Sequence, residues 1–173
     1  VAEYAARSAI GLGALVSVFD NSVARLRRMQ SDLNFPIATS IMQPKVIEKA
    51  LKRADVAIGA LRAKEGRTPC VISDDMVQKM KPKSVIVDVS IDQGGCFETS
   101  ELTTHESPTF IKHDVIHYGV PNIASRVAKT ASFSLSNILA PLLLKVGEGG
   151  GVKGMLLRSP NIRGGVYVYN GII

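Results

Sequence analysis

The segment from Ser84 to Glu98, SVIVDVSIDQGGCFE, constrains the fold of this chain more than any other part of the sequence. Its first half is an apolar run interrupted only by Asp88 and Ser90, which is typical of a strand buried on both faces of a parallel sheet. An acid, Asp92, then precedes an amide and two glycines, residues that allow a sharp turn. Ligands of open α/β sheets lie beyond the carboxyl ends of the strands, so Asp92 is predicted to be functional rather than only a turn residue.

The rest of the sequence predicts strands and helices that alternate about four times, which favours an α/β fold with a doubly wound parallel sheet. Predicted strands cover residues 14–19, 35–41, 56–61, 84–90, 109–112 and 115–120. Predicted helices cover residues 1–12, 22–33, 44–53 and 130–146, and a short one follows Ser73. Residues 62–68 are predicted to form a polar loop, 147–151 a flexible glycine-rich break, and the last part of the chain an irregular tail.

Length and composition exclude several classes of protein. A chain of 173 residues is long enough for one domain with a core and an appendage. The net charge of +6 is scattered, and few aromatic residues are interleaved with it, so nucleic acid is not an expected partner. No run approaches the roughly 18 apolar residues of a membrane span. Two cysteines do not make a disulfide framework, and we expect a cytoplasmic protein.

The start of the chain reads as a helix from Val1 onward, with no capping residue before it. We therefore expect a fragment that begins inside an element. Gly11 and Gly13 resemble a dinucleotide fingerprint, but they close a helix and precede a strand, whereas the fingerprint follows a strand and opens a helix. A true fingerprint would lie upstream of Val1, together with the first strand of the sheet.

Asp20 follows the first predicted strand and is a candidate for nucleotide binding. A carboxylate there accepts hydrogen bonds from the adenine ribose hydroxyls and repels a 2′-phosphate. Its position favours this role over the alternative, capping of the next helix. Cys96 is interpreted as a small buried hydrophobic residue rather than a nucleophile, and His117 as a hydrogen-bonded core histidine. The three histidines show no metal-ligand spacing, so no metal is expected.

Several segments taken together resemble the alanine dehydrogenase family, which shares its fold with the nucleotide-binding part of proton-translocating transhydrogenase. They are VIVDVSIDQGGCFETS, PTF, HYGVPNI and a T-x-S-x-x-L-x-N helix from Thr130 to Asn137. The similarity covers essentially the whole chain, from ARSAIGLGA to the tail GGVYVYNGII. At the Asp of DQGG the chain resembles alanine dehydrogenases rather than the transhydrogenase subunit, which tends to carry an uncharged residue there.

The resemblance implies a Rossmann-type NAD-binding domain over residues 1–125, truncated at its start, without its first strand and Gly-rich loop. Residues 126–173 would form a C-terminal helix and tail that pack back on a missing substrate domain. The implied reaction is reversible hydride transfer between NAD and L-alanine, giving pyruvate and ammonia, in a homo-oligomer that is a hexamer in the family. The other catalytic group, a His, and the substrate-holding Lys and Arg would lie in the family's N-terminal portion.

The site residues implied by the resemblance are one catalytic acid, Asp92, and a set of cofactor-binding positions. That set comprises Asp20, Arg25, Leu61, Arg62, Val89, Ser90, Ile91, Asp92, Val120, Pro121, Asn122 and Ile123. Glu101 and Met42 depart from the family, which often has a basic residue and a Ser at these positions. Two alternatives stay open: a nucleotide-binding alpha subunit of transhydrogenase, and a non-catalytic nucleotide-sensing or assembly module.

Overall fold

The computed structural model of the protein describes residues 1–62 and 66–172. Ala63, Lys64 and Glu65 of the predicted polar loop, and Ile173 at the end of the tail, lie outside the described residues. The chain divides into two compact units, Val1–Ile123 and Ala124–Ile173. The assignment of residues 1–125 to nucleotide binding and of 126–173 to interdomain packing stays a prediction.

The first unit alternates short strands with helices, as the sequence predicts. Its strands are β1 (Ser17–Phe19), β2 (Ala38–Ser40), β3 (Val56–Gly59), β4 (Val85–Asp88), β5 (Thr109–Lys112) and β6 (Val115–Tyr118). Its helices are α1 (Ala2–Gly11), α2 (Val23–Leu33), α3 (Pro44–Leu51) and α4 (Asp74–Gln78), with a 3-10 turn at Ile91–Gln93. β5 has the predicted bounds, and each of the other strands is shorter than predicted at one end or both, since regular pairing extends over only three or four residues of each.

The strands form two sheets. β1 and β2 pair in parallel, and the larger sheet has the order β3-β4-β6-β5, in which only β5 runs antiparallel. The predicted α/β class with a parallel sheet is thereby confirmed. In the doubly wound order 3-2-1-4-5-6 the first strand lies between the second and the fourth. β1 corresponds to the second strand of that order and β3 to the fourth. The two are unpaired here because the first strand, which lies between them in the complete fold, is not among the described strands.

The hairpin of β5 and β6 depends on the two residues that join its strands. His113 and Asp114 have φ of +54° and +57°, so both lie in the left-handed region. Two such residues make the tight turn that suits the twist of an antiparallel pair. The two strands predicted on either side of this dipeptide are confirmed, and the structure pairs them as a hairpin with β6 beside β4.

The main core lies between the larger sheet and helices α3 and α4. Its buried members are Ile47, Leu51, Ile72, Val77, Met80, Ile86, Cys96, Phe97 and Val115. A smaller cluster joins α1 and α2 to the start of β2 through Ala6, Leu33 and Ile37. Burial of these side chains anchors the helices to the sheets and fixes the loops at the strand ends.

The second unit is helical, and here part of the sequence prediction is wrong. It contains α5 (Ala128–Glu148), α6 (Gly151–Arg158) and α7 (Pro160–Arg163), so about half of the predicted irregular tail is helix. The predicted flexible break is instead mostly helical, because Gly147 lies in α5 and Gly151 begins α6. Where the two helices meet, Gly150 and Gly151 take φ of +84° and +76°, which glycine adopts without strain. A Cβ on Gly154 would lie 2.2 Å from the carbonyl oxygen of Gly149, so the close approach of α6 requires glycine.

Helix α5 has an apolar and solvent-exposed surface. Together with the preceding 3-10 turn, residues Ile123–Glu148 are long and apolar enough to cross a membrane by length and composition alone, although core helices of soluble proteins pass the same test. Large apolar side chains such as Phe133, Ile138 and Leu143 are mostly exposed. Such a surface is expected to be covered in the functional protein.

Candidate functional site

The turn after β4 brings the predicted residues to the edge of the larger sheet. Val89 donates its N–H to the carbonyl of Gly59 at 2.8 Å and so extends the pairing of β3 with β4. The 3-10 turn Ile91–Gln93 follows, and Gly94 and Gly95 then take φ of +100° and +74°. Only glycine adopts such angles without strain, so the two glycines let the chain turn back from the sheet edge.

Asp92 is exposed and connects two of the predicted binding segments. Its Oδ1 accepts the backbone N–H of Asn122 at 2.8 Å. Asn122 has φ of +51°, a left-handed conformation that Asn tolerates. β4 and β6 are parallel neighbours, so their carboxyl ends meet at one edge, and the segments Val89–Asp92 and Val120–Ile123 come together there.

The end of β3 joins the same edge. The hydroxyl of Ser90 donates to the carbonyl oxygen of Leu61 at 2.9 Å. Arg62, the next residue, is exposed. Residues predicted from three different strand ends, those of β3, β4 and β6, therefore form one contiguous rim.

Asp20 and Arg25 form a separate pair at the end of β1. Oδ1 of Asp20 accepts the N–H of Ser22 at 2.7 Å and lies 3.0 Å from Nη2 of Arg25. The N-cap of α2 is Ser22, whose Oγ accepts the N–H of Arg25 at 3.3 Å. The alternative that Asp20 itself caps the helix is thus wrong: Asp20 supports the capping residue and stays partly exposed.

The sequence reasoning assigned no role to Asp88, although it is the most deeply buried acid of the site region. It is 2% exposed, and both its oxygens accept hydrogen bonds from the segment that follows it. The signal was available in the sequence as a carboxylate inside an apolar strand, where a buried charge needs several donors. Arg67 was also missed; its guanidinium donates to the carbonyl of Gly94 at 3.2 Å.

Cys96 lies inside the core beneath this segment. It is 2% exposed, and burial, followed by the charge of Asp88, raises the pKa of its thiol to about 12. A thiol held protonated at neutral pH is a poor nucleophile. The interpretation of Cys96 as a small buried residue, not a nucleophile, agrees with this environment.

His117 is buried in β6 with both ring nitrogens hydrogen-bonded, as expected for a core histidine. Nδ1 lies 3.0 Å from the carbonyl oxygen of Val115, which can only accept, so Nδ1 carries the proton. Nε2 therefore accepts the hydroxyl of Thr99 at 2.8 Å. Burial lowers the pKa of His117, which keeps the ring neutral. In the described parts of the chain, no group of three or more His, Cys, Asp and Glu could hold a metal ion.

Comparison with known proteins identifies the family of the chain. The family model described as "Alanine dehydrogenase/PNT, C-terminal domain" matches residues 1–173. Alanine dehydrogenase of Mycolicibacterium smegmatis is 42% identical over 146 residues, which are 84% of this chain and 39% of that protein. Alanine dehydrogenase of Bacillus subtilis is 40% identical over 168 residues, which are 96% of this chain and 44% of that protein. The chain thus spans less than half the length of these curated relatives.

Solved structures show the same relationship. A structure of L-alanine dehydrogenase superimposes with a TM-score of 0.88 at 36% identity, covering 96% of this chain and 46% of that one. A transhydrogenase from Sinorhizobium meliloti has a TM-score of 0.69 at 24% identity, covering 83% of this chain and 42% of that one, and shares the fold. The resemblance inferred from the sequence is confirmed, and the chain belongs to the alanine dehydrogenase/PNT C-terminal domain family.

Proposed function

We propose that this chain is the nucleotide-binding part of an NAD-dependent alanine dehydrogenase, which oxidises L-alanine to pyruvate and ammonia. The observation that carries the proposal is the placement of Asp92 at the shared carboxyl edge of β4 and β6, exposed and hydrogen-bonded to Asn122. Membership of the family and the identity to named alanine dehydrogenases support the same reaction.

The residues at the two strand ends fit an adenine dinucleotide. Asp20 is partly exposed and offers carboxylate oxygens to ribose hydroxyls, and Arg25 beside it is available for a phosphate or for stacking. The rim formed by Leu61, the Val89–Asp92 segment and the turn after β6 would hold the nicotinamide end. When bound, NAD supplies the hydride acceptor.

The role proposed for Asp92 follows from the charge that develops on the substrate. Loss of hydride from Cα of alanine leaves a positively charged imino nitrogen, and a nearby carboxylate stabilises that charge. Water then adds to the same carbon and ammonia leaves, and the carboxylate can orient the water or take its proton. The hydrogen bond from Asn122 holds Oδ1 at the rim, where a substrate would lie beside the cofactor.

The test uses the full-length protein that carries this chain. Asp92→Asn should lower alanine-dependent NADH formation by about 10²–10⁴-fold, while NADH affinity, measured by fluorescence titration, stays nearly unchanged. Asp32→Asn is the control, because Asp32 is an exposed acid on α2 that pairs only loosely with Arg28 at 3.7 Å.

Other outcomes separate the alternatives. Hydride exchange between two nicotinamide nucleotides, with indifference to alanine, would identify a transhydrogenase subunit instead. Full activity of Asp92→Asn would remove the proposed catalytic role. We also propose that the 173-residue chain alone shows no turnover, because the family's catalytic His and substrate-binding Lys and Arg are not among its residues; alanine-dependent NADH formation by that chain would contradict this.

The exposed apolar surface of α5 supports a proposal for the second unit. We propose that it packs on the substrate domain of the full-length protein, as the predicted C-terminal helix and tail would. Deletion of residues 126–173 should then expose apolar surface and cause aggregation or stronger binding of a hydrophobic dye. Assembly into a homo-oligomer and cytoplasmic location stay predictions, as does the absence of membrane and nucleic acid partners.

A further inference from the structure

The carboxylate of Asp88 bonds both ends of the segment that carries Asp92. Its Oδ1 accepts the N–H of Ser90 at 3.0 Å. Its Oδ2 accepts the N–H of Cys96 at 2.9 Å and the hydroxyl of Ser100 at 2.8 Å. A single buried side chain therefore closes the segment after β4 into a loop.

The backbone packs directly against this carboxylate. A Cβ on Gly95 would lie 2.8 Å from Oδ2 of Asp88, and one on Gly59 would lie 3.1 Å from Oδ1. A side chain that only filled this space would be apolar, because removing a carboxylate from water is costly unless donors replace the lost hydration. Asp88 thus differs from an apolar side chain in the same space by the directional hydrogen bonds that it accepts.

Asp92 depends on these bonds because of where it lies. Residues 91–95 span the two anchored positions, Ser90 and Cys96, and they include two adjacent glycines with high backbone freedom. The hydrogen bond from Asn122 to Asp92 forms only if the segment keeps its path. A displacement of about 1 Å at a reacting group can reduce the rate by about 10²-fold.

We infer that Asp88 is a positioning residue whose carboxylate fixes the Ser90–Ser100 segment and so holds Asp92 at the sheet edge for reaction. This inference rests on the proposed function, since it concerns the same site. Asp88 itself is buried and does not touch substrate or cofactor in this role.

The first arm of the test is a double-mutant cycle in the full-length protein. Asp88→Asn keeps the side-chain shape but replaces one acceptor oxygen with an NH2 group, which cannot accept a hydrogen bond from the segment. The substitution should lower kcat for alanine oxidation by about 10- to 100-fold. In an Asp92→Asn background the same change should lower kcat by less than about threefold, because the group it positions is already removed. A reduction in kcat of the double mutant equal to the product of the two single reductions would show that Asp88 acts independently of Asp92. That result would overturn the inference.

The second arm does not depend on alanine turnover. In Asp88→Asn, the amides of Ser90 and Cys96 should exchange with deuterium about tenfold faster. Leu33→Ala is the control for general destabilisation, because Leu33 is 9% exposed in the separate small core cluster. It should lower global stability without a selective effect on these amides and without changing kcat.

The outcomes of the two arms are distinguishable. A wild-type protein that does not oxidise alanine contradicts the proposed function, whereas unchanged exchange at Ser90 and Cys96 in Asp88→Asn overturns the positioning role. If Asp88→Asn does not fold, Ser100→Ala decides the matter, because it removes one donor and leaves the carboxylate in place. It should raise exchange at the Cys96 amide about threefold, and no rise would overturn the inference.

Discussion

Replacement of Gly95 by Ala measures how tightly the backbone packs on the buried carboxylate of Asp88. Gly95 is buried and has φ of +74°. The new Cβ would lie 2.8 Å from Oδ2 of Asp88, 3.3 Å from Cδ1 of Ile91 and 3.4 Å from Cβ of Ser100. The first contact is too short for a Cβ and an oxygen, so either the carboxylate or the turn must move.

Two separate terms contribute to the expected loss of stability. A left-handed conformation destabilises a residue with a Cβ by about 1–2 kcal/mol. Movement of the carboxylate weakens at least one of its hydrogen bonds, and bonds to charged groups contribute about 1.5–3 kcal/mol each. The free energy of unfolding should therefore fall by about 2.5–5 kcal/mol.

Gly13→Ala is the matched control for the conformational term. Gly13 has φ of +81°, close to that of Gly95, and no described atom lies within 4 Å of the position its Cβ would take. It should lose only about 1–2 kcal/mol. Both variants are made in the same full-length protein and compared by urea unfolding followed by circular dichroism. Equal losses for the two variants would refute the argument that the contact with Asp88 is rigid.

Three further predictions concern the nucleotide end, the buried histidine and a helix cap. Asp20→Asn keeps the oxygen that accepts the N–H of Ser22 but removes the negative charge beside Arg25. The ratio of the NADPH to the NADH dissociation constant, measured by titration, should therefore fall at least about tenfold. An unchanged ratio would argue against a ribose site at Asp20. Burial lowers the folded pKa of His117 below the unfolded value of about 6.5, so stability is full above that value and declines as pH falls from it towards the folded pKa. His117→Gln should flatten this slope in urea unfolding at a series of pH values, and Thr99→Val, which leaves Nε2 without its donor, should lower stability by about 1–3 kcal/mol. Ser22→Ala removes the cap of α2 and should lower stability by about 1 kcal/mol in the same assay.

The parts of the fold that could be predicted are those with strong local signals. Apolar runs ended by polar or turn residues located every strand, including the two on either side of His113-Asp114. The tail was mispredicted because its helices are short and follow a glycine run. Glycines such as Gly150 usually signal a break, but here a left-handed φ lets one helix follow another at once.

The hydrogen bonds of the site could not be predicted, because they depend on which strands become neighbours. Sequence reasoning placed Asp92 after a strand, but its bond to Asn122 exists only because β4 lies beside β6 in the sheet order. The bond of Ser90 to Leu61 likewise depends on the pairing of β4 with β3. These orders are set by long-range packing that no local pattern encodes.

The order of strands also explains why a buried acid and an exposed acid occur four residues apart on one segment. β4 has a neighbour on each side, so the end of this strand is enclosed and Asp88 is almost fully removed from water. The chain then leaves the sheet, and Asp92 emerges at the edge, where the turn after β6 meets it. The enclosed acid binds donors of its own segment, which replace the hydration it loses on burial, and the segment thereby gains a fixed path. Because the buried carboxylate of Asp88 fixes the path of the segment, the exposed carboxylate of Asp92 can be held at one place.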